Sequence, residues 1–278
     1  MFKIIEKEIL AVGIKKFEVE AKQITAKALP GQFVMVIPAE RGERIPLTIA
    51  DYDREKGTIT LIFQEVGFTT RQLGSLKIGQ EIFSILGPLG QPTHIDNFGK
   101  VVCIGGGVGV AEIYPVSKAL KEAGNKITGI IGAKTKRMLI LENQMRRICN
   151  ELYITTDDGS YGTRGMVTEV LKNIILRSSS PDSINLVYAI GPVPMMRAVA
   201  ELTRPYKIKT IVSLNPVMVD GTGMCGSCRV KVGGKTFFGC VDGPEFDGHE
   251  VDFEELQSRL NLFREQEICI GKKCRANL

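Results

Sequence analysis

Asp220, Cys225, Cys228 and Cys240 stand in the spacing D-x4-C-x2-C-x11-C. A plant-type two-iron cluster is held by C-x4-C-x2-C and a distant fourth cysteine. The register is the same here, with an aspartate in the first position. Iron accepts carboxylate oxygen as well as thiolate, so these four residues can make a complete ligand set for a [2Fe–2S] cluster. Gly221, Gly223 and Gly226 lie between them. Glycine there lets the backbone curl tightly and turn N–H groups towards the sulfides. A zinc knuckle, or three unrelated buried thiols, are the alternatives. Zinc usually takes two Cys-x-x-Cys or Cys/His pairs, and this segment supplies one.

A second candidate site is Gly105, Gly106, Gly107 and Gly109, directly after the apolar run VVCI and before a helical pattern starting near Ala111. Strand, glycine turn and helix N-terminus together form an anion site, because unpaired N–H groups and the helix dipole face a phosphate. Val110 occupies the third glycine position of G-x-G-x-x-G, so a glycine turn with only a structural role remains the alternative. After the next strand pattern, ITGIIG, come Lys134, Lys136 and Arg137. An acidic residue there would take a ribose 2′-OH, whereas basic residues favour a 2′-phosphate. Either these three tilt the site towards NADP, or they form a solvated loop.

The elements that must position these groups fall into three segments of the 278 residues. Residues 1–97 read as all-β: FKIIEKEIL, KKFEVEA, QFVMVIP, TITLIFQEV and EIFSILGP are short, β-branched and separated by turn residues, which suggests a small barrel. Residues 98–213 alternate strand and helix patterns, the signature of a doubly wound parallel sheet. Residues 214–278 break that rhythm with the glycine-rich cysteine loop, the strands RVKV and KTFFGC, an acidic element and a helical, then basic, tail. The expected fold class is therefore a β-barrel, an α/β doubly wound nucleotide-binding domain and a small C-terminal cluster domain.

Composition narrows the function. With 44% apolar and 24% charged residues the chain is an ordinary globular protein. The net charge of +5 is spread out and there is no Trp, so nucleic-acid binding has little support. No run of apolar residues is long enough for a membrane span. The start MFKIIEKEIL is charged and reads as a strand rather than a signal peptide, so a cytoplasmic location is expected. Seven cysteines fit a reducing compartment and metal binding better than a disulfide framework. Cys269 and Cys274 in the tail are expected to be structural. The two histidines, His94 and His249, leave a Ser-His-Asp or His-rich zinc enzyme poorly supplied. His249 follows the last cluster cysteine and is expected on a surface loop.

The order of barrel, glycine turn and cysteine loop resembles the ferredoxin reductase-like flavoproteins. Within them the chain is similar to electron-transfer subunits of dihydroorotate dehydrogenase and to small subunits of NADH-dependent reduced ferredoxin:NADP+ oxidoreductases. The likeness is carried by GERIPLTIAD (42–51), VGFTTRQL (66–73), GPLG (87–90), GGGVGVAEIYP (105–115), DDGSYGTRG (157–165), GPVPMM (191–196) and MVDGTGMCGSC (218–228). Aspartate in place of the first cluster cysteine marks the second group, and so favours it. The resemblance implies FAD on the barrel, against Arg44, Ile45, Pro46, Leu47, Thr48, Ile62, Phe63, Gln64, Gly67, Thr69 and Thr70. Thr48 stands where relatives carry serine, and Ile45 where they carry arginine, with Arg44 one residue early. It also implies NAD(H) at Gly105, Gly106, Gly107, Gly109, Ala111, Glu112, Asp157, Asp158, Gly159, Gly191, Pro192 and Met195. NAD is favoured over NADP, against the basic loop. No side chain is expected to act as a catalytic acid or base, since the cofactors carry the chemistry. The implied partner is a larger flavin and iron–sulfur subunit in a heterodimer, with no membrane contact. The rivals are a dihydroorotate dehydrogenase electron-transfer subunit and, in another class, a non-enzymatic zinc-binding module.

Overall fold

The computed structural model describes residues 2–177 and 184–262. The basic tail with Cys269 and Cys274 lies outside the described residues. The first unit contains β1 (Phe2–Ala11), β2 (Ile14–Glu20), the short helix α1 (Lys22–Thr25), β3 (Phe33–Ile37), β4 (Ile45–Asp53), β5 (Thr58–Gln64), α2 (Phe68–Ser75), β6 (Glu81–Ile82) and β7 (Ser84–Leu89). Its antiparallel sheet runs β6-β1-β2-β5-β4-β3-β7. One chain segment, interrupted only at Phe83, thus bounds both edges, and the sheet wraps into a nearly closed barrel. Alternation decides what fills it. Phe17 and Val19 of β2 point inward, whereas Ile14, on the other face, packs with Ala111 and Ile113 of the second unit; Phe17 meets Phe63 of β5 edge to face at 5.2 Å. Each such side chain contributes roughly 1.5–3 kcal/mol by leaving water.

The second unit follows: β8 (Lys100–Gly106), α3 (Val110–Glu122), β9 (Lys126–Ala133), α4 (Glu142–Ile148), β10 (Glu151–Thr156), β11 (Thr163–Arg164), α5 (Val167–Arg177), β12 (Leu186–Ile190), α6 (Val193–Thr203) and β13 (Lys209–Ser213). Six strands are parallel, in the order β11-β10-β9-β8-β12-β13. Beyond Lys100 every residue of β8 is buried, as expected of a strand covered on both faces. Chain order reverses between β8 and β12, and ligands of such sheets bind at that switch point, beyond the carboxyl ends of the strands.

The last segment carries β14 (Arg229–Val232), β15 (Lys235–Phe238), β16 (Glu245–Asp247) and α7 (Phe253–Leu260). Gly233 and Gly234, both at positive φ, turn β14 into β15. β16 adds antiparallel to β13, so this segment completes the edge of the α/β sheet. It is also tied to the barrel side of the molecule. Thr93 Oγ1 donates to Glu245 at 2.5 Å, and Gln91 N donates to the Gly243 carbonyl at 2.7 Å. The expected strands all form, and the third segment is woven into the other two. His249 does not face the cysteines. Its Nε2 lies 3.0 Å from Thr203 Oγ1 at the end of α6.

Candidate functional site: two joined clefts and a cysteine loop

At the switch point, β8 ends in Gly105 and Gly106 while β12 ends at Ile190, followed by Gly191, and α3 begins just beyond. Gly109 is required by packing, since a Cβ there would lie 2.5 Å from the Ile190 carbonyl oxygen. Gly107 is required by conformation, with φ of +58°, and a Cβ on it would enter open space. The backbone of this turn is therefore bare towards a cleft of about 570 Å³. Gly106, Gly107, Gly109, Glu112, Asp157, Gly191, Pro192 and Met195 line it. A bare backbone at a helix N-terminus fits a pyrophosphate.

Several expected residues do not line that cleft. Gly105 is buried against Ile113 and Val110 in the strand, and Ala111 is buried on the inner side of α3. Asp158 accepts from both the backbone N–H (2.9 Å) and the hydroxyl (2.6 Å) of Ser160, which organises the turn, and Gly159 packs beneath Arg164. Of the three basic residues, only Lys134 lines the cleft. Lys136 holds its ammonium 4.8 Å from the Tyr161 ring centroid, and Arg137 is exposed. Asp157, directly after β10, also lines the cleft.

A second cleft, of about 320 Å³, opens on the barrel wall. Pro46, Leu47 and Thr48 of β4, Ile62, Phe63 and Gln64 of β5, and Thr70 of α2 line it, with Ala111 at its far side. Phe63 contributes only at the edge, because its ring is committed to the core. Arg44 is exposed and Ile45 packs on the barrel core. Gly67 starts α2, where its N–H donates to Thr70 Oγ1 at 3.0 Å, and the space where a Cβ would project is open. Thr69 is buried and donates to Glu43 at 3.1 Å. The open N-terminal turn at Gly67, with polar Thr48 and Gln64 nearby, fits a flavin and its phosphates.

Gln64, Val108, Glu112, Ser213 and Asn215 line both clefts. Glu112 keeps some exposure at the cleft, yet burial pushes its carboxyl up to about 7, against the opposing hydrogen bond from Thr48. The barrel-side cleft also reaches Phe33 and Met218. Those two pack with Met35, Cys228 and Cys240 in one apolar cluster, so the cleft leads to the cysteines.

The four expected metal ligands are gathered only in part. Cys228 and Cys240 are buried with their sulfurs 3.2 Å apart. Burial, with the neighbouring Cys228, pushes the Cys240 thiol up to about 12, so metal binding here would release protons. Cys225 is exposed and lies 3.1 Å from Ser227 Oγ, the contact that most lowers its pKa. Asp220 accepts from the N–H groups of Thr222 and Cys225, both at 2.8 Å, and so clamps the loop. Among the described residues no three His, Cys, Asp or Glu side chains are placed together to hold a metal ion. The composition of the set still fits a two-iron cluster: a thiol pair in contact, a third thiol and a carboxylate. All four sit in a segment turned by Gly221, Gly223 and Gly226 at positive φ.

Phe33, Val108, Ser213, Asn215 and Met218 were not singled out from sequence. They come from the barrel, the glycine turn and the β13 end, and no spacing unites them. Proximity to VVCIGG and MVDGTGMC could have flagged Val108 and Met218.

A barrel beside a switch-point α/β sheet and a cysteine loop defines a ferredoxin reductase-like flavoprotein oxidoreductase with an iron–sulfur segment. The same fold occurs in ferredoxin-NADP+ reductase from Plasmodium falciparum, at 15% identity, with a TM-score of 0.61 over 75% of this chain and 93% of that one. The model of the iron–sulfur cluster binding domain of dihydroorotate dehydrogenase B matches residues 215–252. A Thermotoga maritima protein, a homologue of the electron transfer subunit of dihydroorotate dehydrogenase B (NAD(+)), is 45% identical over 95% of this chain and 92% of its own length. The corresponding electron transfer subunit of Listeria innocua is 33% identical over 82% of this chain and 89% of its own length. The chain belongs to the family of dihydroorotate dehydrogenase B electron transfer subunits and their homologues. As a member it is an electron-transfer oxidoreductase subunit whose cofactors are FAD, a [2Fe–2S] cluster and NAD(H). A solved structure of NADH-dependent reduced ferredoxin-NADP oxidoreductase, described for flavin-based electron bifurcation, includes a chain 43% identical to this one. It superposes with a TM-score of 0.91 over 98% of this chain and 97% of that one. No helix among the described residues is long and apolar enough to cross a membrane.

Proposed function

We propose that the chain is the small subunit of an electron-bifurcating, NADH-dependent ferredoxin:NADP+ oxidoreductase, working beside a larger flavin and iron–sulfur subunit. The observation that carries this is the continuity of the three sites. Five residues line both clefts, and Phe33 and Met218 lead from the barrel cleft to Cys228 and Cys240. When bound, a nicotinamide exchanges hydride, a flavin exchanges electrons in pairs or singly, and an iron–sulfur cluster exchanges single electrons.

The chain's own residues supply positions. The Gly106–Gly109 turn and the start of α3 hold a pyrophosphate, with Asp157 taking a ribose hydroxyl and favouring NAD. Thr48, Pro46, Leu47, Ile62 and Gln64 orient the flavin, and the Gly67–Thr70 turn takes its phosphates. Cys225, Cys228 and Cys240 hold the cluster, and Asp220 completes its ligands. The buried thiol pair and its apolar surroundings exclude water from the inner side of the cluster.

A dihydroorotate dehydrogenase partner is the second reading, supported by the iron–sulfur match and by the names of the relatives. Anaerobic purification of the native complex tests both. FAD and two iron atoms per small subunit, with a large subunit carrying flavin and further iron–sulfur clusters, is the expected result. A dihydroorotate-oxidising large subunit would replace the first reading by the second. Stoichiometric zinc without acid-labile sulfide would refute both.

A further inference from the structure

The nicotinamide couple exchanges two electrons and one proton: NAD+ + 2 e− + H+ gives NADH. Electrons arriving singly from an iron–sulfur donor bring no proton, so one proton must enter the site for every pair. The reverse reaction must release one. The junction between the clefts is where that proton is needed, and the chain places few titratable groups there. Of the five residues lining both clefts, Gln64, Val108, Ser213 and Asn215 do not titrate in the relevant range. Glu112 is the fifth.

We infer that Glu112 holds and delivers the proton that accompanies each electron pair passing between the barrel cleft and the nucleotide cleft. The inference rests on the functional reading above and adds a proton carrier to it. Glu112 sits in the first turn of α3, lining the barrel-side cleft together with Thr48 and the nucleotide cleft on its other side. It keeps partial exposure, so a proton can be replenished from solvent.

The surroundings leave Glu112 free to titrate. On β4, Asp51 is paired with Lys118 at 3.6 Å, and on α4 Glu142 is paired with Arg146 at 2.8 Å. Tyr114 of α3 has its pKa raised, by burial first, and Arg147 of α4 is exposed. Cys103 of β8 and Tyr188 of β12 are buried and neutral, and Lys134 and Asp157 line the nucleotide cleft. Burial first, then Thr48, sets the proton affinity of Glu112, and no charged neighbour contributes. An affinity near neutrality suits a group that must both take and give a proton.

The test is a spectroelectrochemical titration of the bound FAD in the anaerobically purified protein at a series of pH values. Electrons entering the barrel cleft add negative charge beside Glu112 and raise its pKa above the resting value of about 7. Reduction should then take up an extra proton over a window beginning near pH 7 and extending upward. The wild-type potential should steepen its pH dependence there. Glu112→Gln, with the same shape and FAD content, should lose that break, while Glu112→Asp should keep one at a shifted pH. A break that survives unchanged in Glu112→Gln, or its absence from wild type, overturns the inference. If Glu112→Gln does not retain FAD, the aspartate variant decides: a shifted break supports the inference and an unmoved one overturns it. Wild-type protein without FAD would refute the functional reading itself, and this inference with it. A persistent break with FAD bound refutes the inference alone.

Discussion

At the glycine turn the chain offers a ligand its backbone, while in the loop from Asp220 to Cys240 it offers side chains. The turn is complete before anything binds: Gly109 is locked against the end of β12, and Gly107 is already at positive φ facing the cleft. The cysteine loop is half made. Cys228 and Cys240 touch, Cys225 faces solvent, and both carboxylate oxygens of Asp220 hold loop amides. A dinucleotide site can be rigid because peptide N–H groups are fixed by the helix and strand that carry them. A cluster site needs its donors deprotonated and gathered by the metal, so folding and loading are coupled.

The contrast is broken most severely by removing a buried thiol. Cys228→Ser should abolish cluster assembly while leaving the NADH cleft intact. Iron content and the visible iron–sulfur absorption would be lost, whereas NADH would still reduce bound FAD. Loss of NADH-dependent flavin reduction along with the cluster would show that the two sites are not separable.

Next in size is Gly109→Ala, which forces a methyl group against the Ile190 carbonyl. Overpacking of this kind costs about 1–3 kcal/mol, so NADH affinity should fall by roughly 10- to 100-fold. The cluster spectrum should not change. Equilibrium titration of NADH against FAD fluorescence measures it, and unchanged affinity would mean that the α3 start can shift freely.

Asp220 sharpens the comparison, since it serves the loop backbone in this structure and is proposed to ligate iron. Asp220→Cys should retain a cluster with an altered potential, because thiolate is softer than carboxylate. Asp220→Ala should weaken or lose it. An alanine variant with an unchanged EPR spectrum and potential would place the fourth ligand elsewhere.

The smallest effect is expected at Arg137. Its side chain is exposed and outside the cleft lining, so Arg137→Asp should change NADH turnover by about twofold or less, the usual scale for an isolated surface residue. Steady-state kinetics with NADH and NADPH check this. A wild-type preference for NADPH, lost in the variant, would overturn the NAD assignment.

Much of the architecture could be read along the chain. Phe17 and Val19 of β2 recur at the strand period, and the buried run of β8 followed by glycines announced a strand, a glycine turn and a helix start. The D-x4-C-x2-C-x11-C spacing isolated the cluster candidates because that motif is local. Some expected site residues also serve a second place. Phe63 follows a family pattern for flavin contact, yet its ring fills the barrel. Asp158 lies in a nucleotide-binding segment, yet it caps the turn at Ser160. The basic run Lys134 to Arg137 suggested a phosphate clamp, but a turn points only Lys134 into the cleft.

The residue patterns by themselves determined the glycine turn, the cysteine loop and the barrel and α/β frames, because each rests on a contiguous pattern of glycine, cysteine or alternating apolar residues; the flavin site came from the family resemblance. Only the tertiary structure decided that they form one path. Gln64, Val108, Glu112, Ser213 and Asn215 are spread over 152 positions of chain, and they meet because the barrel packs against α3 and the end of β13. β16 joins the cluster segment to the same sheet edge. The proton affinity of Glu112 was likewise invisible in sequence, where no side chain was expected to act as acid or base. Burial sets it, and burial is a property of how distant segments pack, not of any residue's neighbours along the chain.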